Sequence, residues 1–130
     1  MSPGESVMVT RLLVSVVDDD ESVRESLPDL LRELGFVAHA FSSAQEFLAS
    51  GFVDETRCLI LDIAMPGMTG LDLQRELKLR RQDIPIVFIT ARRDETVRPL
   101  VLEQGAVECL FKPFSDTALL NAVNAALRVN

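Results

Sequence analysis

The sequence predicts an α/β protein built on a parallel β-sheet with helices on both faces. Apolar runs of strand length alternate five times with amphipathic helical stretches along the 130 residues, and the connections are short. The run Cys58–Leu61 shows no polar alternation, which is typical of a strand buried on both faces. Pro66, Gly67 and Gly70 then mark a loop. A single domain accounts for this pattern.

Each element has its own signal. Strands are predicted at Arg11–Val17, Phe36–Phe41, Arg57–Leu61, Ile84–Ile89 and Val107–Phe111. Helices are predicted at 21–34, from Ser43 to near Gly51, from Thr69 onward, at about 95–104, and from Ser115 onward. Capping-box spacing at Ser43 and Thr69 marks two helix starts, and Gly35 and Gly105 each end a helix. Pro99 lies in the early turns of the fourth helix, so we expect an irregular or late first turn there.

Composition excludes several classes of protein. The 48% apolar content argues for a folded core, and the apolar stretches are too short to span a bilayer. No signal-peptide pattern opens the chain, so we expect a cytoplasmic protein with a leader at residues 1–10 and one domain at 11–128. The net charge of −7 is a poor match for nucleic acid. Cys58 and Cys109 lie in apolar runs and are expected to be buried free thiols.

Distinctive polar residues stand where four of the predicted strands end. They are Asp18 and Asp19 after the first strand, Asp62 after the third, Thr90 after the fourth and Lys112 after the fifth. Each one alone could be a helix cap or a solvated turn residue. Because the carboxyl ends of parallel strands meet at one edge of the sheet, all of them together indicate a ligand site.

The residue types at this edge suggest phosphoryl chemistry. Three carboxylates held close repel one another unless a cation offsets their charge. Oxygen ligands suit a hard divalent ion, and Mg²⁺ with its waters and a phosphate is the one we expect. The carboxylate of Asp62 would then be the nucleophile that forms an aspartyl phosphate. Lys112 and Thr90 would neutralise and hydrogen-bond the phosphoryl oxygens.

The motifs VVDDDESVR, LDIAMPGMTGLDL, IVFITA and GAVECLFKPF also carry a family resemblance. In order and spacing they resemble the receiver domain of bacterial two-component response regulators, in particular the FixJ-like receivers. The matching patterns extend over nearly everything from Arg11 to Leu127. The resemblance implies a (βα)5 flavodoxin-like, CheY-like fold with strand order 2-1-3-4-5. It also implies a phosphorelay switch that receives its phosphoryl group from a sensor histidine kinase or phosphotransfer protein and is read by a downstream protein.

The resemblance further implies a role for each site residue. It makes Asp62 the phosphoacceptor, Asp18 and Asp19 the Mg²⁺-binding pair, the backbone carbonyl of Ala64 a further metal ligand, Thr90 the switch hydroxyl, Lys112 the phosphate contact and Pro113 a cis-proline. The domain would catalyse only its own phosphorylation and dephosphorylation, without binding nucleic acid or membrane, and a homodimer that forms on phosphorylation is a further expectation. Two departures from the family stand out: Cys109 occupies a position where most relatives place an aromatic residue, and Pro99 lies in the fourth helix, which is part of the usual signalling face.

Three alternatives accompany this interpretation. A haloacid-dehalogenase-like hydrolase would need a second aspartate where the chain has Ala64, and room for a cap domain. A flavodoxin-like cofactor carrier would need a phosphate loop where Asp18, Asp19 and Asp20 would repel a flavin phosphate. FixJ-like transcription factors carry a helix-turn-helix domain after the receiver. The chain stops at Asn130, so we expect a stand-alone receiver, with the receiver half of a truncated DNA-binding transcription factor as the alternative.

Overall fold

Five parallel strands form one sheet in the computed structural model, which describes residues 12–91 and 95–128. The strands are β1 Leu13–Val17, β2 Val37–Phe41, β3 Thr56–Asp62, β4 Ile86–Thr90 and β5 Glu108–Phe111. Their order across the sheet is β2-β1-β3-β4-β5, and every neighbouring pair is parallel. This confirms the predicted sheet and its strand order.

Five helices return the chain to the opposite edge of the sheet after each strand. They are α1 Glu21–Glu33, α2 Ala44–Ala49, α3 Gly70–Leu79, α4 Val97–Glu103 and α5 Asp116–Arg128. The hydroxyl of Ser43 accepts from the Glu46 N–H at 3.0 Å, and Thr69 with Asp72 forms a reciprocal capping box. Both predicted helix starts are therefore confirmed. Helix α4 begins two residues later than the predicted 95, as expected from Pro99.

Some predicted strand ends shift by one or two residues. Strand β4 begins at Ile86 instead of Ile84, because Pro85 has no N–H for the ladder and contributes only its carbonyl, which accepts from Leu59 at 2.9 Å. Strand β5 begins at Glu108, one residue after the predicted start. Arg11 and the predicted leader at 1–10 lie outside the described residues.

The sheet separates two apolar layers. One layer, against α2, α3 and α4, is centred on Phe47, Leu61, Leu73, Phe88 and Val101. The other, against α1 and α5, is centred on Leu31, Ile60, Ile89, Leu119 and Val123. Side chains alternate across each strand, so neighbouring residues of β3 enter opposite layers.

Both cysteines are buried and unbridged, as predicted. Cys58 and Cys109 belong to different apolar layers. Burial raises the pKa of the Cys58 thiol to about 12, so this thiol stays protonated at neutral pH. Within the described chain, no helix has the length and apolar content needed to cross a membrane.

Two hydrogen bonds made by buried hydroxyls join β1, the start of β3 and the loop that precedes β3. The hydroxyls of Ser15 on β1 and Thr56 on β3 are 2.7 Å apart, and both side chains are buried. Thr56 donates its proton to the Phe52 carbonyl at 2.7 Å, so Ser15 is the donor to Thr56. The pair satisfies two buried hydroxyls and links β1 to the chain segment that leads into β3.

Candidate functional site

The carboxyl ends of β1 and β3 place three acidic side chains together. Asp18 follows β1 directly, and Asp62 is the last residue of β3. Asp18, Asp19 and Asp62 each offer one carboxylate oxygen, and these oxygens lie within 4.8 Å of one another. The two strands are neighbours at the point where the strand order reverses, which is where ligands bind in open α/β sheets. The expected acidic cluster is therefore present.

Asp18 is held by contacts around both of its carboxylate oxygens. The side chain is fully buried. The backbone N–H of Asp20 donates to Oδ1 at 2.9 Å, and the ammonium of Lys112 donates to Oδ2 at 2.8 Å. The guanidinium of Arg24 on α1 also donates to the Asp18 carbonyl at 3.0 Å. These contacts fix the orientation of a carboxylate whose burial would otherwise be unfavourable.

Lys112 reaches this cluster from the far side of the sheet. Two strands, β3 and β4, lie between β5 and β1, and the lysine side chain crosses their ends to pair with Asp18. Its backbone N–H donates to the Thr90 carbonyl at 2.8 Å, which ties the ends of β5 and β4 together. The peptide bond from Lys112 to Pro113 is cis, as predicted. Thr90, at the end of β4, is buried.

The electrostatics of the site follow from burial and from the crowding of like charges. Burial is the largest influence on Asp62 and raises its pKa from 3.8 to about 7. The negative charges of Asp18 and Asp19 add to this increase, and Lys112 opposes it. Burial alone would lower the pKa of Lys112, but its hydrogen bond to Asp18 and the surrounding carboxylates outweigh burial and raise it. The lysine is therefore protonated at neutral pH, while ionised Asp62 is destabilised in the metal-free site.

The cluster meets the requirements of a hard metal ion. Its three side-chain donors are all carboxylate oxygens, which is the ligand type that Mg²⁺ prefers. Asp19 is exposed, so the site is open to solvent on one side. Ala64 lies two residues beyond Asp62, in the exposed loop between β3 and α3. The residues present therefore fit a metal ion that keeps part of its water shell.

Three residues near the site were not identified from the sequence. Asp20 caps α1 by accepting from the Ser22 N–H at 2.9 Å, and its own N–H supports Asp18. Arg24 contacts the Asp18 carbonyl, and Gly70 packs against the backbone of Asp62. Of these three residues, only Gly70 had a signal in the sequence, because it is a poor helix former at the first position of a helix.

A cluster of carboxylates at the strand-order reversal of a five-stranded, doubly wound sheet is typical of α/β domains that bind a ligand at this edge. Comparison with known proteins defines the family. Residues 14–124 match the family model described as the response regulator receiver domain. Nodulation protein W of Bradyrhizobium diazoefficiens is 46% identical over 95% of this chain and 54% of its own length. The transcriptional regulatory protein FixJ of Azorhizobium caulinodans is 38% identical over 92% of this chain and 57% of its own length.

Solved structures agree with this assignment. The response regulator StyR superimposes with a TM-score of 0.85 at 45% identity, covering 93% of this chain and 61% of the StyR chain. The crystal structure named FixJ-N gives a TM-score of 0.82 at 35% identity, covering 92% of this chain and 96% of that one. The chain belongs to the response regulator receiver family and is a signalling domain. It spans about half the length of the curated relatives that it matches.

Proposed function

We propose that this domain is a phosphoacceptor switch that is phosphorylated on Asp62. The observation that carries the proposal is the meeting of Asp62 with Asp18, Asp19 and the cation of Lys112 at one edge of the sheet. A carboxylate whose ionised form is destabilised by burial and by its acidic neighbours gains most when a cation and a phosphoryl group enter the site. The family supports the same role, because receivers take their phosphoryl group from histidine kinases.

Mg²⁺ would be held by Asp18, Asp19, Asp62 and the carbonyl of Ala64. When bound, the ion supplies positive charge that offsets the carboxylates and the incoming phosphoryl oxygens. Lys112, whose ammonium lies 2.8 Å from Asp18 Oδ2, supplies a second positive charge. The chain's own contribution is to hold these oxygens close together before the phosphodonor arrives.

The transfer step is a displacement at phosphorus. A carboxylate oxygen of Asp62 forms a bond to phosphorus while the bond from phosphorus to the histidine nitrogen of the donor breaks. The departing nitrogen keeps the electron pair of the broken bond. Lys112 and the hydroxyl of Thr90 then contact the transferred phosphoryl oxygens. Water later cleaves the aspartyl phosphate, so the domain catalyses only its own phosphorylation and dephosphorylation.

The direct test is intact mass spectrometry after incubation with acetyl phosphate and Mg²⁺. We expect the addition of one phosphoryl group to the wild-type protein and none to Asp62→Asn. Asp83→Asn is the matched control, because Asp83 is an exposed aspartate in the loop between α3 and β4. Labelling of Asp62→Asn at the wild-type rate would refute the assignment.

Light scattering of the same samples tests the expected phosphorylation-dependent homodimer, which requires a doubled mass in the phosphorylated sample alone.

A second candidate function is supported by the length and names of the relatives. The two FixJ relatives are each named a transcriptional regulatory protein, and this chain covers 57% and 59% of their lengths. The domain would then be the receiver half of a DNA-binding transcription factor, in which phosphorylation controls an attached output domain. An immunoblot of the native protein decides this point. A band at the 14.4 kDa of this chain supports a stand-alone receiver, and a band at about 1.7 times that mass supports the transcription factor.

A further inference from the structure

Gly70 lies against the backbone that carries Asp62. Its N–H donates to the carbonyl of Ile63 at 3.0 Å, and the N–H of Ile63 donates to the carbonyl of Ile89 on β4 at 3.1 Å. The segment that follows Asp62 is thus held between β4 on one side and the first residue of α3 on the other. Gly70 is also buried, although it begins a helix near the carboxyl edge of the sheet.

No side chain fits at this position. A Cβ atom on Gly70 would lie 2.4 Å from the carbonyl oxygen of Asp62, 3.0 Å from Cα of Ile63 and 3.1 Å from Cε1 of Phe88. The two nearest atoms belong to the backbone, so no side-chain rotation relieves the contact. The distance to the Asp62 oxygen would have to open by roughly 0.6 Å before it reached an ordinary close contact.

The reason for glycine here is close approach rather than backbone conformation. Gly35, Gly67 and Gly105 have positive φ values, whereas Gly70 starts a regular helix. Alanine is the better helix former, so local propensity alone favours alanine at this position. The contact with the Asp62 peptide accounts for glycine instead.

We propose that Gly70 is a positioning residue for the phosphoacceptor site. By allowing α3 to pack directly on the peptide after Asp62, it fixes this carboxylate relative to Asp18 and Asp19. The same contact fixes the loop that begins at Ala64, whose carbonyl is the proposed fourth metal ligand. The inference rests on the proposed function of Asp62. Displacement of a reacting group by about 1 Å can reduce a rate about a hundredfold, so a shift of this size is large enough to matter.

The test compares two glycine-to-alanine substitutions that add the same atom. Gly70→Ala introduces the contact with the Asp62 peptide, whereas Gly51→Ala is the matched control, because nothing lies within 4 Å of a Cβ at Gly51. Each protein is titrated with Mg²⁺ alone by calorimetry, and its phosphorylation rate with acetyl phosphate and Mg²⁺ is followed by intact mass. All measurements are made at a temperature where circular dichroism shows every variant fully folded.

We expect the Gly70→Ala variant to be phosphorylated at least about tenfold more slowly than wild type and to bind Mg²⁺ several-fold more weakly. Both the rate and the Mg²⁺ affinity of Gly51→Ala should stay within about twofold of wild type. Lower thermal stability with unchanged Mg²⁺ affinity and rate would show a purely structural role and overturn the proposal. The double variant Gly70→Ala, Phe88→Leu removes the contact between the new Cβ and the ring of Phe88, while the contact with the Asp62 carbonyl oxygen remains. Recovery of the wild-type rate in that double variant would place the effect on the ring of Phe88 and also overturn it.

Two cases need separate treatment: a Gly70→Ala variant that does not fold, and a wild-type protein that is not phosphorylated. If Gly70→Ala does not fold, Thr69→Ala replaces it, because loss of the capping box loosens the first turn of α3 without adding an atom beside Asp62. An unchanged rate and Mg²⁺ affinity in folded Thr69→Ala would overturn the proposal, and a decrease in both would support it. If wild type itself takes no phosphoryl group, the proposed function fails, and the Mg²⁺ titrations alone decide the role of Gly70.

Discussion

Replacing Asp62 with asparagine should stabilise the metal-free protein at alkaline pH. Asp62 is 5% exposed and shares its pocket with Asp18 and Asp19. Burial and the charges of these neighbours raise its pKa from 3.8 to about 7, so ionisation above that pH is unfavourable in the folded state. Asparagine keeps the size of the side chain and cannot ionise. The substitution therefore removes a buried charge, and its repulsion from Asp18 and Asp19, which the acidic cluster carries when no cation is bound.

The sign and size of the effect follow from proton linkage. The folded protein binds the Asp62 proton more tightly than the unfolded chain does, so this group lowers stability as pH rises from about 4 to about 7. Full ionisation would cost up to about 4 kcal/mol, and the nearby Lys112 and local rearrangement reduce that figure. We expect the variant to be about 1 to 3 kcal/mol more stable than wild type near pH 8.5, an increase in Tm of about 3 to 10 °C.

Urea unfolding in the presence of EDTA measures this difference. Far-ultraviolet circular dichroism is the suitable signal, because the chain contains no Trp and no Tyr. Near pH 5.5 the folded wild type carries a protonated Asp62, so the advantage of the variant should shrink to about half of its value near pH 8.5. Asp83→Asn, at an exposed position, should change stability by less than about 0.5 kcal/mol at both pH values. A variant less stable than wild type near pH 8.5, or a difference independent of pH, would refute the reasoning.

Three further predictions concern the metal, the core and the switch. Asp19→Asn should weaken Mg²⁺ binding about tenfold without loss of metal-free stability, as measured by calorimetry and thermal unfolding. In urea unfolding, Ser15→Ala should cost about 1 kcal/mol and Thr56→Val about 2 kcal/mol, because Thr56 makes two hydrogen bonds and Ser15 one. Beryllofluoride should change amide exchange between Thr90 and Pro99 more than in β5, although residues 92–94 lie outside the described chain. Equal costs for the two core variants, or exchange changes confined to β5, would contradict these expectations.

The sequence was sufficient for the sheet and for the composition of its carboxyl edge. Apolar runs and helix caps report the local environment of a residue, so the strand–helix alternation and the starts at Ser43 and Thr69 could be predicted. The site residues could be placed because parallel strands end at one edge. Strand order was available only through the family resemblance. Hydrophobic periodicity does not reveal how the strands are ordered. It therefore cannot show that Asp18 and Lys112, which are 94 residues apart in the sequence, meet in the fold.

Contacts that depend on register and close approach could not be predicted. The hydroxyl pair of Ser15 and Thr56 requires that two particular residues face each other on adjacent strands, and a polar residue within an apolar run gives no partner. The packing of Gly70 on Asp62 requires the distance between a helix and a strand end. Strand β4 began later than predicted because an apolar pattern continues through Pro85, whereas the hydrogen-bond ladder does not.

The two apolar layers divide the thermodynamics of the interior into independent halves. Ile60 and Leu61 are adjacent in the chain, yet Ile60 belongs to one apolar cluster and Leu61 to the other. Substitutions in opposite layers, at positions more than about 7 to 10 Å apart, should therefore have destabilising effects that add. The helices on one side can therefore accumulate sequence changes without altering packing on the other, provided that the strands keep their pairing. The acidic edge is the exception, because it is assembled from strand ends that both layers hold in place.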